Sequence, residues 1–166
     1  MADSMTPQQR SKCMAAVKGR DTRPEMVVRR YLYSQGLRYR VNDRRLPGAP
    51  DIVLSRYRTV IFVDGCFWHG HEGCAHSRIP DSNRDYWRHK ITLNRARDYR
   101  VDVELRRMGW RVIRIWECAI DETALQVLYQ RVVGTPGVGE GYGSDTEDSA
   151  GSSFAAEPPE AYGLPY

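Results

Sequence analysis

Residues 51–64, DIVLSRYRTVIFVD, contain two apolar runs on either side of a short RYR segment. Val, Ile and Phe are favoured in strands, and a short polar connection between two such runs is typical of a hairpin. We therefore expect two neighbouring strands, over 51–55 and 59–64. Their pairing would bring Asp51, at the start of the first strand, close to Asp64, at the end of the second.

Helix and strand patterns alternate on both sides of this hairpin. Thr22-Arg23-Pro24-Glu25 is a capping box with Pro in the first turn, and Gly109 follows a long segment without Gly or Pro. Helices that cover a mixed sheet place the chain in the α/β class. The further predicted elements are a helix over 23–35, a strand over 37–42, a helix over 84–108, a strand over 110–116 and a helix over 121–133.

Charge is divided unevenly along the chain. Residues 134–166 hold six acidic and no basic residues, which leaves 25 basic and 15 acidic residues in the rest. Arg accounts for 22 of the 25 cations, and its planar guanidinium suits bidentate contact with phosphate. A nucleic acid is the partner that this composition favours, although a GC-rich genome would also raise the Arg content.

Composition also predicts the domain organisation. We expect one folded domain over 21–133, a flexible arm over 1–20 and a disordered acidic tail over 134–166, because the tail is rich in Gly, Ser and Pro and lacks apolar periodicity. No apolar stretch is long enough to span a membrane, and the first residues lack the apolar core of a signal peptide. We therefore expect a soluble, cytoplasmic protein without a membrane partner.

The segment after the hairpin carries a metal-binding pattern. Cys66, His71 and Cys74 lie within nine residues, and Cys118 follows a predicted strand that could return beside them. Three Cys and one His form a common structural zinc site. His76 is a nearby substitute ligand, and the alternative is that Cys66 and Cys118 are buried apolar thiols.

Acidic residues near the hairpin suggest a second kind of metal site. If Asp51 and Asp64 converge, their oxygen atoms suit Mg²⁺, and Glu25 at the start of the first helix is a third candidate. His69 lies outside the zinc spacing, and its ordinary pKa allows it to accept a proton from water near neutral pH. Taken alone, each carboxylate is more often a helix cap or a surface charge, and His69 could also be a further metal ligand or a surface histidine.

Four motifs resemble one family. PD at 50–51, FVDGCFWHGH at 62–71, KITLNRARD at 90–98 and GWRVIRIWEC at 109–118 are similar to those of the very short patch repair (Vsr) endonucleases. The resemblance runs from about residue 10 to residue 133. It implies a restriction-endonuclease-like fold and an Mg²⁺-dependent enzyme that nicks double-stranded DNA 5′ to the T of a T·G mismatch, the product of 5-methylcytosine deamination.

The resemblance also implies roles for individual residues. Asp51 and the backbone carbonyl of Val63 would bind Mg²⁺, Glu25 would orient water on the metal, and His69 would activate water. Phe67, Trp68 and Trp87 would wedge into the duplex, and Met14 in the N-terminal arm would grip the other side. Insertion of aromatics costs least at a poorly paired step, which favours a mismatch. The implied zinc ligands are Cys66, His71, Cys74 and Cys118.

The chain departs from the family at two places. One extra residue precedes Cys74, and Val63-Asp64 replaces the Thr-His of well-known members. Asp64 would then face Asp98, the residue that partners that His. We expect Asp64 either to join the Mg²⁺ shell or to be neutralised by a nearby Arg, because two close carboxylates raise a pKa or recruit a cation.

Two other functions are compatible with the sequence. A restriction-type nuclease would use Asp51 and Mg²⁺ on unmismatched DNA, and a zinc-stabilised DNA-binding module would leave Asp51, His69 and Glu25 without a catalytic role. We expect the mismatch endonuclease, acting as a monomer because one strand is cut.

Overall fold

The computed structural model describes residues 19–134 and the single residue Gln8. A three-stranded sheet lies between helices that pack on its two faces. The mixed α/β class predicted from the sequence is confirmed. In chain order the elements are helix α1 (Arg23–Ser34), strands β1 (Ile52–Leu54) and β2 (Thr59–Asp64), the one-turn helix α2 (Cys66–His69), helix α3 (Arg84–Arg107), strand β3 (Arg111–Trp116) and helix α4 (Glu122–Val133).

The sheet has the order β1-β2-β3 and is mixed. Strands β1 and β2 form the predicted antiparallel hairpin, with Ile52 opposite Ile61, whereas β2 and β3 run parallel, with Asp64 opposite Trp116. Parallel neighbours need a long crossover, which here contains α2 and the 24-residue helix α3. The start of β1 and the ends of β2 and β3 consequently lie at the same edge of the sheet.

Apolar residues of the strands alternate between two core clusters, because successive side chains point to opposite faces. Ile61 lies on the face covered by α1 and α4, and Val60 and Phe62 lie on the face covered by α3. The first cluster is Val28, Leu32, Leu37, Ile52, Leu54, Ile61, Ile113, Ile115, Leu125, Leu128 and Val132; the second is Val53, Val60, Phe62, Leu105 and Trp110.

Local signals account for the helix boundaries. The Thr22 hydroxyl accepts a hydrogen bond from the Glu25 N–H, as the capping box predicts, and Asp121 caps α4 through the Ala124 N–H. Gly109, with φ of +76°, follows α3. The three long predicted helices therefore agree with the structure to within one residue at each end.

The prediction of a strand over 37–42 was wrong. Only an isolated bridge forms there, between Arg40 and Val53. The apolar alternation has another cause: Leu37 belongs to the core and the Tyr39 hydroxyl donates to the Arg29 carbonyl. Asn42 then takes a left-handed conformation with φ of +47°, which is incompatible with a continuing strand.

Two further features concern the bounds of the fold. Helix α4 ends at Val133, and the predicted arm and tail lie almost entirely outside the described residues, so the domain division stays a prediction. Among the described residues, none of the helices combines the length and apolar character needed to cross a membrane.

Candidate active site and metal-binding cluster

Asp51 lies at the edge of the sheet where the three strand ends meet. Its Oδ2 accepts a hydrogen bond of 2.8 Å from the Val63 N–H on the neighbouring strand. The pKa of Asp51 is raised to about 6, chiefly by burial and also by the charges of Glu25 and Asp64, while the Val63 N–H and Arg29 act in the opposite direction. The predicted convergence of these carboxylates is therefore present, and it leaves an excess of negative charge at Asp51.

Glu25 is held by the first turn of α1. Only 4% of it is exposed, and its carboxylate accepts hydrogen bonds of 2.9 Å from the Asp21 N–H, the Thr22 hydroxyl and Arg29 Nη2. The same Arg29 nitrogen donates to the Asp51 carbonyl at 3.3 Å. Arg29 thus ties the start of β1 to the start of α1, which places Glu25 beside Asp51.

His69 ends helix α2 and faces helix α3. Its Nδ1 lies 2.5 Å from Asp98 Oδ2, and Asp64 Oδ1 lies 3.8 Å from the same nitrogen. Burial raises the pKa of Asp98, but the hydrogen bond and charge of His69 together with Arg114 hold it below its usual value. An ionised Asp98 accepts a hydrogen bond from the His69 Nδ1–H, so Nε2 is the ring nitrogen without a proton.

Asp64 is paired with an arginine that the sequence did not single out. Arg114 Nη1 lies 2.8 Å from both oxygens of Asp64, and Arg114 Nε and Nη2 donate to Asp102 at 3.1 Å and 3.0 Å. Asp64 is 4% exposed. Of the two alternatives given above for Asp64, the structure contains the neutralising arginine.

These groups open into one cleft of about 620 Å³. Its polar lining combines the acidic residues at the sheet edge with arginines at the rim. Asp51, Glu25 and His69 all contribute, so the structure brings together the residues for which catalytic roles were predicted. The lining includes Arg20, Glu25, Arg44, Asp51, Val63, Asp64, Trp68, His69, Arg97, Asp98, Arg114 and Glu117.

The four predicted zinc ligands form a separate cluster on the other side of α2. The ligand atoms of Cys66, His71, Cys74 and Cys118 lie within 4.8 Å of one another. His71 Nδ1 is 3.4 Å from Cys66 Sγ and 3.3 Å from Cys118 Sγ. A tetrahedral site with usual Zn–N and Zn–S bonds would separate such atoms by about 3.6 Å, so the donor set fits zinc.

Two observations describe the donor groups of this cluster. Burial raises the pKa of the Cys66 thiol, so this group stays protonated unless a cation lies beside it. The His71 ring stacks on Trp116 with centroids 4.2 Å apart, which directs Nδ1 toward the thiols. His76 is not one of the grouped residues, and Cys66, Cys74 and Cys118 are free of disulfide bonds.

The predicted wedge residues pack against one another. Phe67, Trp68 and Trp87 form edge-to-face pairs with centroids 5.1–5.9 Å apart, and Tyr86 adds a fourth ring at 5.1 Å from Trp87. Trp87 is 9% exposed, whereas Tyr86 is 60% exposed. Asn94 Nδ2 donates to the Trp68 carbonyl at 2.9 Å, which anchors this cluster on α3.

Sequence reasoning missed four residues that organise the site. Arg29, Asn94, Arg114 and Glu117 are not part of a recognisable catalytic motif, although all but Arg29 fall within the motifs quoted for the family resemblance. Glu117 Oε1 accepts from the Cys66 N–H at 2.7 Å and so caps helix α2. Met14 lies outside the described residues, and the contact of Val63 with Asp51 is through its N–H.

The chain is similar to known proteins of one family. Residues 2–76 match the family described as DNA mismatch endonuclease Vsr. The chain is 47% identical over 125 residues to the type II nicking enzyme V.NmeAIP of Neisseria meningitidis, covering 75% of this chain and 89% of that protein. It is 45% identical over 120 residues to the DNA mismatch endonuclease Vsr of Escherichia coli, covering 72% of this chain and 76% of that protein.

Identity and coverage at this level establish the family, and the relatives on which they rest are endonucleases and nicking enzymes. Asp51, Glu25 and His69 line one cleft, and the Cys and His residues that the resemblance identified form one cluster. The chain therefore belongs to the Vsr family of DNA mismatch endonucleases and is an endodeoxyribonuclease.

Proposed function

We propose that this protein is an Mg²⁺-dependent, strand-specific endonuclease that nicks DNA 5′ to the T of a T·G mismatch and so starts short-patch repair. The main support is that Asp51, Glu25 and His69 open into one cleft that Trp68 also lines. We further propose that the sheet and its helices form a restriction-endonuclease-like core that acts as a monomer.

The proposed Mg²⁺ ligands are Asp51 and the backbone carbonyl of Val63, with Glu25 beside them. Carboxylate and carbonyl oxygens suit Mg²⁺, and the pKa of Asp51 is raised chiefly by burial and also by the nearby charges of Glu25 and Asp64, which a bound cation would offset. Bound there, Mg²⁺ would supply a Lewis acid that stabilises charge developing on the scissile phosphate. Glu25, fixed by three hydrogen bonds, would hold water in position beside that phosphate.

His69 is the proposed general base. With Nδ1 bonded to Asp98, Nε2 is free to accept a proton from the water that attacks phosphorus. The bond from phosphorus to the leaving sugar oxygen breaks, and that oxygen takes up a proton. Asp98 orients the ring and stabilises the positive charge that His69 gains in this step.

The Cys/His cluster is proposed as a structural zinc site. Three thiolates and one imidazole saturate a tetrahedral ion and leave no open position for substrate. The cluster flanks helix α2, which begins with the ligand Cys66 and carries Phe67, Trp68 and His69. Zinc would therefore fix both the base and the aromatic residues with respect to the sheet.

Discrimination of the mismatch is assigned to the aromatic cluster. Phe67, Trp68 and Trp87 would insert at the mismatched step, since a wobble pair is cheaper to unstack than a paired step. Exposed arginines at the cleft rim, Arg20, Arg44 and Arg97, would contact the phosphates on either side. Met14 is proposed to grip the duplex from the arm.

A nicking assay tests the proposal. Two end-labelled duplexes differ only in T·G or T·A at one position, and each is incubated with Mg²⁺, with Ca²⁺ and without divalent ions. We expect one Mg²⁺-dependent cut on the T strand of the mismatched duplex and none on the paired control. Asp51→Ala should remove the cut and retain DNA binding.

Two other outcomes have defined meanings. Equal cutting of both duplexes would favour a nuclease for unmismatched DNA that uses the same Asp51. Binding without cutting would favour a zinc-stabilised DNA-binding module, an alternative that the relationship to endonucleases and nicking enzymes argues against.

A further inference from the structure

The Nδ1 atom of the proposed base His69 lies near two carboxylates, of which one is hydrogen-bonded to it. Asp98 Oδ2 is 2.5 Å from Nδ1, and Asp64 Oδ1 is 3.8 Å from the same atom. Both carboxylates are shielded from bulk water, with side chains 17% and 6% exposed. A small rotation of the ring would exchange one partner for the other and would turn Nε2 away from its present direction.

Arg114 forms an ion pair with Asp64, the second of these carboxylates. Its Nη1 lies 2.8 Å from both Asp64 oxygens, while its Nε and Nη2 hold Asp102 Oδ1. Its guanidinium carbon lies 4.5 Å from the centroid of the Phe62 ring. Contacts on three sides leave the guanidinium little freedom to rotate.

The same arginine also faces Asp98. Arg114 Nη2 lies 3.8 Å from Asp98 Oδ1, the oxygen that does not contact His69, and the exposed Arg97 lies 3.5 Å from that oxygen. Asp98 therefore directs Oδ2 toward His69 and Oδ1 toward the guanidinium groups of Arg114 and Arg97. The three carboxylates around Arg114 would otherwise repel one another in a poorly solvated region.

We infer that Arg114 is a positioning residue. By pairing with Asp64, it leaves Asp98 as the carboxylate that accepts the hydrogen bond from the His69 Nδ1–H. The inference rests on the proposed role of His69 as the base, and it explains how this chain tolerates an aspartate at position 64. Asp64 then affects His69 only through its ion pair with Arg114. A double variant that lacks the charges of both Arg114 and Asp64 should therefore retain the hydrogen bond between His69 and Asp98.

Kinetic measurements on four variants test this assignment. Arg114→Met should lower kcat for nicking the T·G duplex by about 100-fold, the lower end of the effect of a general base, with KM within about threefold of wild type. Asp64→Asn should cost about tenfold, because Arg114 is then released toward Asp98. The double variant should be at least about tenfold faster than Arg114→Met, since removing Asp64 removes the competitor.

Arg111→Met is the matched control. Arg111 lies on the same strand, but its guanidinium donates to the Thr59 hydroxyl and the Val132 carbonyl, away from the cleft. Its loss should lower the Tm and leave kcat of the folded protein unchanged. If Arg114→Met does not fold, Arg114→Gln replaces it in both the single and the double variant.

A spectroscopic readout separates this inference from the proposed function. In ¹⁵N-labelled, zinc-loaded protein at about pH 8, His69 should be an Nδ1–H tautomer with a downfield Nδ1 proton, assigned by its loss in His69→Gln. The proton signal should move or disappear in Arg114→Met and return in the double variant. A wild-type protein that shows this pattern but does not nick T·G duplexes would contradict the proposed function alone.

Two results would overturn the inference. One is an Arg114→Met variant that keeps both the Nδ1 proton signal and a kcat within about threefold of wild type. The other is a double variant in which the two losses multiply, because independent contributions would then replace the proposed competition.

Discussion

Asp51 carries a local charge imbalance that suits metal binding. Its carboxyl is largely buried, the charges of Glu25 and Asp64 act on it, and the Val63 N–H donates a hydrogen bond to it. Its pKa of about 6 lies above the ordinary value of 3.8. Without Mg²⁺, the ionised carboxylate of Asp51 is therefore less favourable in the folded protein than in the unfolded chain.

Asp51→Asn should stabilise the Mg²⁺-free protein above pH 6 while abolishing nicking. With a raised folded pKa, the stability linked to Asp51 is present below about pH 4 and is lost as the pH rises through about 6. We expect a gain of about 1–2 kcal/mol at pH 8, seen as a Tm increase of about 3–8 °C in zinc-loaded protein. Asn can still accept from the Val63 N–H.

The exposed Asp81 supplies the control for this measurement. Its carboxylate pairs with Arg84 on the surface, so Asp81→Asn should change the Tm little at either pH. A Tm of Asp51→Asn that is lower than wild type at about pH 8, or equal to it, would contradict the predicted charge imbalance.

Trp68→Ala should weaken mismatch discrimination more than catalysis. Trp68 is half-buried, lines the cleft and packs on Phe67 and Trp87. Stacking on a base is worth about 1–3 kcal/mol, so the T·G over T·A preference in kcat/KM should fall by roughly 5- to 150-fold. Tyr33→Ala, an exposed aromatic on α1, is the control and should not alter the preference.

At the scale of elements, the one-turn helix α2 depends on its neighbours. A four-residue helix cannot be stable alone, and here Glu117 caps its first N–H while Asn94 binds the Trp68 carbonyl. Gly70 ends it with φ of +62°, and a Cβ at this position would lie 2.6 Å from Ile91 Cγ2. The position of His69 at the end of α2 therefore depends on the contacts of α2 with α3 and with Glu117, which follows β3.

Cys118→Ser should release zinc and lower activity through α2. Cys118 follows β3 directly, so it joins α2 to the end of the sheet through the metal cluster. We expect zinc content by atomic absorption to fall, the Tm to decrease by about 5 °C or more, and nicking to decline. Cys13→Ser, which leaves the four clustered residues unchanged, should retain zinc. Full zinc retention in Cys118→Ser would exclude the proposed four-ligand site.

At the scale of the whole molecule, charge separates the chain into a basic body and an acidic C-terminal segment. The six acids of residues 134–166 oppose an excess of ten positive charges elsewhere. Phosphate contacts make DNA affinity strongly dependent on salt, and an attached acidic segment competes for the same cations.

A chain truncated after residue 134 tests both the domain division and this competition. We expect its Tm to stay within about 2 °C of the full chain, because helix α4 ends at Val133. DNA binding by fluorescence anisotropy should be tighter for the truncated chain at low salt and equal at high salt. A large loss of stability would show that the domain boundary predicted from the sequence is wrong.

Much of the fold could be predicted from local patterns. The capping box before α1, the absence of Gly and Pro from α3 and the two apolar runs of the hairpin each depend on residues close in sequence. The strand predicted over 37–42 failed because Leu37 and Tyr39 serve packing with α1 and not a sheet ladder. Alternation alone does not distinguish these two causes.

The sequence by itself determined the mixed α/β class, the identity of four Cys and His residues as candidate metal ligands, and that of Asp51, Glu25 and His69 as candidate catalytic residues. Only the tertiary structure decided how their charges are paired: Asp64 with Arg114, and His69 with Asp98. The physical reason is separation along the chain. Arg114 lies 50 residues beyond Asp64, and the crossover through α3 and the parallel pairing of β2 with β3 bring the two side chains into contact.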